Sequence, residues 1–170
     1  MAKAYVLLKC QSGSEDYVMS SLKSLDSVRH VVGVMGTYDI LANLVTNSEE
    51  KLRDVVTKQI RKIPKVSGTY TLIADNTKSF DKAVEGKEFL DRYLSEAYAL
   101  IDCEKNKESE VIDTLKKIPE VLNADVLLSS HQVMCNVVAP TFKDISDTVT
   151  KKIRTIPHIS GTTTLSVISR

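Results

Sequence analysis

Four consecutive residues, Gly36, Thr37, Tyr38 and Asp39, separate two apolar runs and carry groups that can recognise a small polar ligand. Gly36 tolerates backbone angles that other residues avoid, so a ligand can approach the chain closely there. Free backbone N–H groups at a turn suit a carboxylate, and the Asp39 side chain can pair with an ammonium group. Together they would bind both charged ends of a free amino acid, with Tyr38 packing on its side chain or on a neighbouring subunit. The alternative is that Gly36 and Asp39 only form a hairpin turn.

Motifs for catalysis are not found elsewhere in the sequence. The three histidines do not have the spacing of metal ligands, and HExxH, GxSxG, P-loop and dinucleotide-binding patterns do not occur. The cysteines, Cys10, Cys103 and Cys135, lie in apolar runs without a Cys-x-x-Cys pair, which predicts buried side chains and no disulfide or zinc site. We therefore expect a protein that is not an enzyme and that has neither a metal nor a cofactor.

Composition limits the partners of the chain. Its 170 residues carry a net charge of +1, which provides no basic field of the kind that nucleic-acid binding needs. No apolar run approaches the roughly 20 residues of a membrane-spanning helix. The first ten residues lack the features of a signal peptide, so we expect a cytoplasmic protein.

The chain contains an internal repeat at an offset of 93 positions, which pairs Ala4 with Ala97 and Cys10 with Cys103. The offset holds without a gap up to the most similar stretch, IRKIPKVSGTYTL at 60–72 against IRTIPHISGTTTL at 153–165. Two copies indicate a tandem duplication and not a solenoid. Each copy is small for an independent core, which predicts that copies bury one another.

Each copy has the pattern of a ferredoxin-like unit. In the first copy Ser14 and Ser48 are predicted helix N-caps, and Pro64 ends the second helix. The predicted elements are strand 4–10, helix 14–25, strands 28–35 and 40–46, helix 48–63 and strand 67–74. In the second copy the helices are predicted near 107–118 and 141–156. The βαββαβ order predicts an α+β fold of tandem ferredoxin-like units, of the dimeric α+β barrel type.

The first copy resembles the ligand-sensing domain of the Lrp/AsnC regulators, also called the RAM domain. The resemblance rests on the Gly36-x-Tyr38-Asp39 turn, on the stretch IRKIPKVSGT and on the Thr69-x-Thr71 strand, in this order and spacing. It implies an amino-acid effector bound near the turn at a seam between dimers, with the hydroxyls of Thr69 and Thr71 close by. The alternative for Thr69 and Thr71 is that they are ordinary strand threonines.

The resemblance covers both copies and implies the domain boundaries. We expect a first sensing domain at 1–75, a linker at 76–95 and a second, degenerate sensing domain at 96–170. The linker is charged, and Val84, Phe89 and Tyr93 in it suggest about two turns of helix.

The second copy departs from the family pattern at the turn. Its equivalent residues are Ser129, Ser130, His131 and Gln132, whereas Thr162 and Thr164 persist. A site that needs a carboxylate for an ammonium group would be lost there. We therefore expect one sensing unit and one mainly architectural unit in each chain.

Regulators of this family carry a helix-turn-helix domain ahead of the sensing domain, and this chain begins at the first predicted strand. Direct DNA binding is therefore not expected. The predicted partners are a small molecule such as an amino acid, other copies of the chain in a dimer or tetramer, and DNA-binding Lrp/AsnC-type proteins.

The leading hypothesis from the sequence is a stand-alone amino-acid-sensing protein that acts through ligand-dependent assembly or through association with regulators. Two alternatives stay open. One is an enzyme of the dimeric α+β barrel kind, such as a small monooxygenase. The other is a structural adaptor that binds other sensing-domain proteins and no small molecule.

Overall fold

The fold is given by a computed structural model that describes residues 1–82, 94–128 and 132–170. It contains two compact units. Unit 1 comprises Met1–Ala74 with Val167–Arg170, and unit 2 comprises Asp75–Ser166. Each unit consists of strands and helices in the order βαββαβ, which confirms the predicted fold class.

The elements of unit 1 agree closely with the sequence prediction. They are β1 (Ala2–Cys10), α1 (Glu15–Lys23), β2 (Val28–Met35), β3 (Ile40–Thr46), α2 (Glu49–Asp54) and β4 (Val66–Asp81), of which the residues from Asp75 onward belong to unit 2. The sheet is antiparallel with the strand order β4-β1-β3-β2. β1 therefore lies between β3, which forms a hairpin with β2, and the last strand β4.

The core of unit 1 lies between the helices and one face of this sheet. Apolar side chains from β1, β3, α1 and α2 form it, and they include Val6, Leu8, Ala42, Leu44, Val18, Leu22 and Leu52. Residues directly opposite each other on antiparallel strands share a face, so the register fixes which side chains point toward the helices. Tyr5, Leu7 and Leu41, on the other face, are also buried.

Unit 2 repeats this arrangement. Its elements are β5 (Ser95–Cys103), α3 (Glu108–Lys116), β6 (Val121–Leu127), β7 (Gln132–Ala139), α4 (Phe142–Asp147) and β8 (Ile159–Ser169), of which the residues from Val167 onward belong to unit 1. β5 lies between β7 and β8, and β7 also pairs with β6. The first strand of each unit has a register shift at its end, between Lys9 and Cys10 and between Asp102 and Cys103.

The second helix of each unit does not stay α-helical to its predicted end. α2 continues as a π-helical segment (Val55–Gln59) and a 3-10 turn (Ile60–Lys62), and α4 continues as a π-helical segment (Thr148–Ile153). In unit 1 the Thr57 hydroxyl donates to the carbonyl of Arg53 at 2.9 Å, the carbonyl that the Thr57 amide would use in an α-helix. Such back-bonding competes with the α-helical pattern. The Ser21 hydroxyl makes the same bond to the Tyr17 carbonyl in α1, which stays α-helical, so this contact alone does not account for the π-helical segment.

The predicted linker differs from the structure at its start. Residues 76–81 continue β4, and Phe80 packs against the core of unit 2. The helical turns predicted around Val84, Phe89 and Tyr93 lie outside the described residues. The domain boundaries 1–75, 76–95 and 96–170 stay a prediction. No helix in the described ranges is long and apolar enough to cross a membrane.

The two predicted N-caps of unit 1 differ in their contacts. The Ser48 hydroxyl accepts a hydrogen bond from the Lys51 amide at 3.2 Å, whereas the Ser14 hydroxyl donates to the Gln11 carbonyl and caps no helical amide. Ser48→Ala should therefore lower the free energy of unfolding by about 1 kcal/mol, the usual contribution of an N-cap. Urea unfolding monitored by circular dichroism measures this change. Ser14→Ala is the matched control and should cost less than half as much; equal losses would contradict the assignment of Ser48 as the functional cap.

Candidate ligand-binding site

The predicted site begins at the turn between β2 and β3. Gly36 has a backbone φ of +140°, in the region that favours glycine, and both Gly36 and Thr37 are exposed. The turn is closed on both sides of Asp39: the Val34 amide donates to the Asp39 carbonyl at 2.9 Å, and the Asp39 amide donates to the Leu8 carbonyl at 2.9 Å. The turn is thus attached to β1 as well as to its own hairpin.

The amides of the turn are available to a ligand. Within the described residues, the N–H groups of Gly36, Thr37 and Tyr38 donate to no protein acceptor. Three successive amides of this kind favour an anion such as a carboxylate.

The Asp39 carboxylate has a structural contact that the sequence did not reveal. Its Oδ2 atom accepts a hydrogen bond from the Cys10 amide at 3.0 Å, where the register of β1 shifts. Its Oδ1 atom has no hydrogen-bond partner among the described residues. Asp39 therefore fixes the end of β1 with one oxygen, and its other oxygen is unused by the described residues.

Tyr38 lies beside Tyr70 of β4. The two rings are nearly parallel, with 10° between their planes and 6.5 Å between their centroids, and the Lys9 ammonium lies 5.7 Å from the Tyr38 centroid. Tyr70 is 44% exposed, so the pair presents an aromatic surface next to the turn. The sequence analysis did not predict Tyr70 as a site residue. Its only sequence signal is the alternation of side chains along β4, which places it on the face opposite to Thr69 and Thr71.

Thr69 and Thr71 lie on a different side of the sheet from the tyrosine pair. Thr69 is opposite Leu8 and Thr71 is opposite Val6, so both threonines share the face that carries the helices. The Thr69 hydroxyl accepts a hydrogen bond from Arg61 Nε at 2.9 Å. The Thr71 hydroxyl oxygen is buried and has no hydrogen-bond partner in the described part of the chain.

The register shows how far apart these groups are. Leu8 is flanked by Ile40 on β3 and by Thr69 on β4. Thr69 is therefore two strand spacings, about 10 Å, from the residue that follows Asp39. The structure brings the four turn residues together and attaches Tyr38 to β4, but it places the hydroxyls of Thr69 and Thr71 on the opposite face of that strand.

Unit 2 has different contacts at the equivalent place. Residues 129–131 lie outside the described residues, so of the predicted departures only Gln132 can be located. Its Nε2 atom donates to Asp102 Oδ1 at 2.6 Å, and Asp102 occupies the position of Lys9 in the repeat. A side-chain pair thus replaces the carboxylate-to-amide bond of unit 1.

The cysteine thiols are not poised for chemistry. Cys103 and Cys135 are buried, as predicted, and Cys10 is half-buried. Burial raises the pKa of the Cys103 thiol to about 11 and that of the Cys135 thiol to about 12. Both are therefore protonated, and unreactive as nucleophiles, at neutral pH.

An open cavity of about 350 Å³ lies in unit 2 and includes Glu120, Asp147 and Lys152. Glu120 Oε1 accepts a hydrogen bond from Lys152 Nζ at 2.7 Å, which lowers the pKa of the Glu120 carboxyl. None of the predicted site residues lines this cavity. It is therefore separate from the candidate site.

Residues 3–83 and 96–170 match the family model of the Lrp/AsnC ligand binding domain. The chain belongs to this family. The two matched segments correspond to the two copies of the repeat, which confirms the resemblance that the sequence motifs indicated. This Lrp/AsnC protein thus carries two copies of a domain that the family defines by ligand binding.

Solved structures similar to this Lrp/AsnC chain fall into two groups. FFRP-DM1 is 32% identical over 44% of this chain and 100% of its own, with a TM-score of 0.43. The siroheme decarboxylase NirDL, solved with an iron-uroporphyrin III analogue, is 11% identical over 97% of this chain and 70% of its own, with a TM-score of 0.74. An anthrone oxidase-like protein is 10% identical over 98% of this chain and 91% of its own, with a TM-score of 0.61. Among curated proteins, none matches the chain.

The prediction that the chain is not an enzyme is wrong. It relied on the absence of local catalytic motifs, yet NirDL is a decarboxylase whose fold resembles this one over nearly the whole chain. A fold can build active sites from residues that have no shared local pattern. The similarity shows the fold alone, and no catalytic residue is transferred from it.

The Asp39 contact generates a prediction about stability. Asp39→Ala removes the acceptor of the Cys10 amide and should lower the free energy of unfolding by about 1–3 kcal/mol. Asp39→Asn keeps an oxygen that can accept this bond and should cost less than half as much. Urea unfolding of both variants measures the difference, and equal losses would show that the carboxylate charge, not the hydrogen bond, stabilises the turn.

Proposed function

We propose that this Lrp/AsnC protein senses a free amino acid, which binds at the turn of Gly36, Thr37, Tyr38 and Asp39 in unit 1. Ligand binding would change the assembly of the chain or its association with DNA-binding regulators of the same family. The observation that carries the proposal is the unused half of the turn: Asp39 Oδ1 and three adjacent amides have no protein partner among the described residues.

These groups complement a zwitterion. The ammonium group would pair with Asp39 Oδ1, and the carboxylate would accept from the turn amides. Charge-assisted hydrogen bonds at both ends recognise the invariant part of any amino acid. The rings of half-buried Tyr38 and exposed Tyr70 would then contact the ligand side chain, and an aromatic surface favours an apolar or planar group there.

Thr69 and Thr71 remain in the proposed site at its margin. Thr69 and the turn flank the same residue of β1, Leu8, from opposite sides. The buried Thr71 hydroxyl has no partner among the described residues, and a buried polar group of this kind is costly unless something else satisfies it. A ligand or a second subunit that reaches this face of β4 would supply the missing bond.

The proposed mechanism of signalling is a change in assembly. A ligand that contacts two subunits binds the assembled state more tightly, and it therefore shifts the equilibrium toward that state. We expect a dimer or tetramer of chains, because a closed symmetric assembly repeats the same seam. Sensing in the cytoplasm, with Lrp/AsnC-type regulators as partners, is part of the same proposal.

A catalytic role is the second candidate, and the fold shared with NirDL and the anthrone oxidase-like protein supports it at the level of fold alone. In contrast to the sensor, an enzyme of this kind would need a substrate site within its sheets. A coloured, tetrapyrrole-like absorbance in the purified protein would favour this candidate.

Thermal unfolding against a panel of amino acids at about 10 mM tests the sensor. Binding to the folded state alone raises the melting temperature, and a ligand at about 100 times its Kd adds about 2.7 kcal/mol of stability. We expect a rise for one or a few amino acids with the wild-type chain. The rise should disappear in Asp39→Asn, which lacks the charge but keeps an acceptor for Cys10.

Asp102→Asn is the matched control for this panel. Asp102 is the hydrogen-bonded carboxylate near the equivalent turn of unit 2. The Asp102→Asn variant should therefore show the same rise in melting temperature as the wild-type chain. If the amino acid still raises the melting temperature of Asp39→Asn, its binding site would lie elsewhere. No rise for any amino acid, in protein shown to be folded, would favour the structural adaptor.

Sedimentation velocity with and without the effective amino acid tests the assembly step. We expect a larger sedimenting species in the presence of the ligand at constant protein concentration, since the ligand stabilises the complete seam. Asp39→Asn should show the same distribution with and without the amino acid. An unchanged distribution in the wild-type chain, despite ligand binding, would contradict signalling through self-assembly.

A further inference from the structure

The same pair of side chains occurs at equivalent positions of the two units. Arg61 Nε donates to the Thr69 hydroxyl at 2.9 Å in unit 1, and Arg154 Nε donates to the Thr162 hydroxyl at 2.7 Å in unit 2. Both pairs obey the 93-residue offset of the repeat. We call each of them an Arg–Thr pair.

Each Arg–Thr pair fixes a guanidinium group and leaves most of its donors unused. The contact occupies Nε only, and neither arginine forms an ion pair with a carboxylate in the described part of the chain. Both arginine side chains are exposed. The two Nη atoms therefore form a free edge with the planar, two-pronged geometry that matches a carboxylate.

The threonine of each pair adds a third donor. Its oxygen accepts from the arginine, so its own hydroxyl hydrogen stays available, and it donates to no acceptor among the described residues. An anion at the guanidinium edge could thus also accept from Thr69 or Thr162. Because the arginine is already held in place, less of its conformational entropy is lost when the anion binds.

The surrounding sequence favours an anion. Residues 55–74 of unit 1 include four basic residues and no Asp or Glu, and residues 148–166 of unit 2 include three and no Asp or Glu. The neighbouring lysines Lys58 and Lys151 pair with Asp54 and Asp147, which precede these segments, whereas the two arginines stay unpaired. In unit 1, Arg61, Lys62 and Lys65 therefore have no carboxylate partner among the described residues. In unit 2, Lys152 also pairs, with Glu120, so the unpaired positive charge of the segment is that of Arg154.

We infer that each Arg–Thr pair is a carboxylate-binding site, so that the chain has two such sites related by its internal repeat. In unit 1 the site adjoins the proposed amino-acid site through Thr69 and, to that extent, rests on the proposed function. In unit 2 the site stands apart from it. Unit 2 would thus bind the carboxylate of a small metabolite although its turn lacks Gly36 and Asp39 equivalents.

NMR titration of the full-length, ¹⁵N-labelled chain with sodium succinate tests this inference. The readout is the Nε–Hε signal of each arginine, assigned with Arg61→Lys and Arg154→Lys, and sodium chloride at equal ionic strength is the blank. We expect saturable shifts for Arg61 and Arg154. Arg29, an exposed arginine without a partner among the described residues, is the internal control and should shift weakly and without saturation.

Matched variants separate the site from general charge effects. Thr69→Val and Thr162→Val conserve shape and should each weaken succinate binding at their own arginine by about one to two orders of magnitude, the effect of one lost hydrogen bond to a charged group. Asp39→Asn should leave succinate binding intact at both arginines. Failure of the amino-acid panel would therefore not affect this result.

Three results would overturn the inference. Equal, linear shifts at Arg29, Arg61 and Arg154 would show only screening of surface charge. Unchanged affinity in both valine variants would remove the threonines from the sites. Tighter binding of inorganic phosphate than of succinate would contradict the assignment to carboxylates.

Discussion

The hydrogen bond from the Cys10 amide to the Asp39 carboxylate determines how unit 1 presents its turn. β1 is the inner strand that both β3 and β4 need, and its register shifts at Cys10. An unpaired amide at such a shift would be unfavourable unless a nearby acceptor satisfied it. Asp39 provides that acceptor, so the same residue fixes the end of β1 and orients the turn. This explains how the turn can be architecture and a candidate site at once.

The two units of the tandem duplication share several structural features but differ in the contacts at the turn. Both units retain the register shift, the π-helical segment and the Arg–Thr pair. Unit 2 replaces the carboxylate-to-amide bond with the contact between Gln132 and Asp102. Features of the backbone therefore persist where the fold requires them, whereas the side chains at the turn diverge. Such a pattern fits two units that share a scaffold and differ in the ligands they can hold.

The sequence predicts those parts of the fold that depend on local pattern. Strands 28–35 and 40–46 occur at the predicted positions, because two short apolar runs separated by a glycine-containing turn define both. The π-helical segment Val55–Gln59 could not be predicted, since hydrophobic periodicity does not distinguish it from an α-helix. β4 extends beyond the predicted Ala74, and Phe80 in this extension packs against the core of unit 2, a contact that no local signal reveals.

The candidate site shows the same division between local and long-range information. Gly36 to Asp39 are adjacent in sequence, and their spacing alone identified the turn. The contacts of Tyr70, Lys9 and Arg61 depend on strand pairing and helix placement, so sequence reasoning missed them.

The prediction that the chain is not an enzyme also relied on local sequence patterns. The absence of a local motif does not exclude catalysis, because a fold of this kind can assemble an active site from residues that are distant in sequence. For this chain, the hypotheses about ligand binding depend on which polar groups have no partner among the described residues. Asp39 Oδ1, the turn amides and the edges of Arg61 and Arg154 are all donors or acceptors that have no partner among residues 1–82, 94–128 and 132–170. Under the two proposals, a ligand with both an ammonium and a carboxylate group would match unit 1, and a ligand with a carboxylate alone would suffice for unit 2. The chemistry of the unused groups thus distinguishes the two units, although their folds are the same.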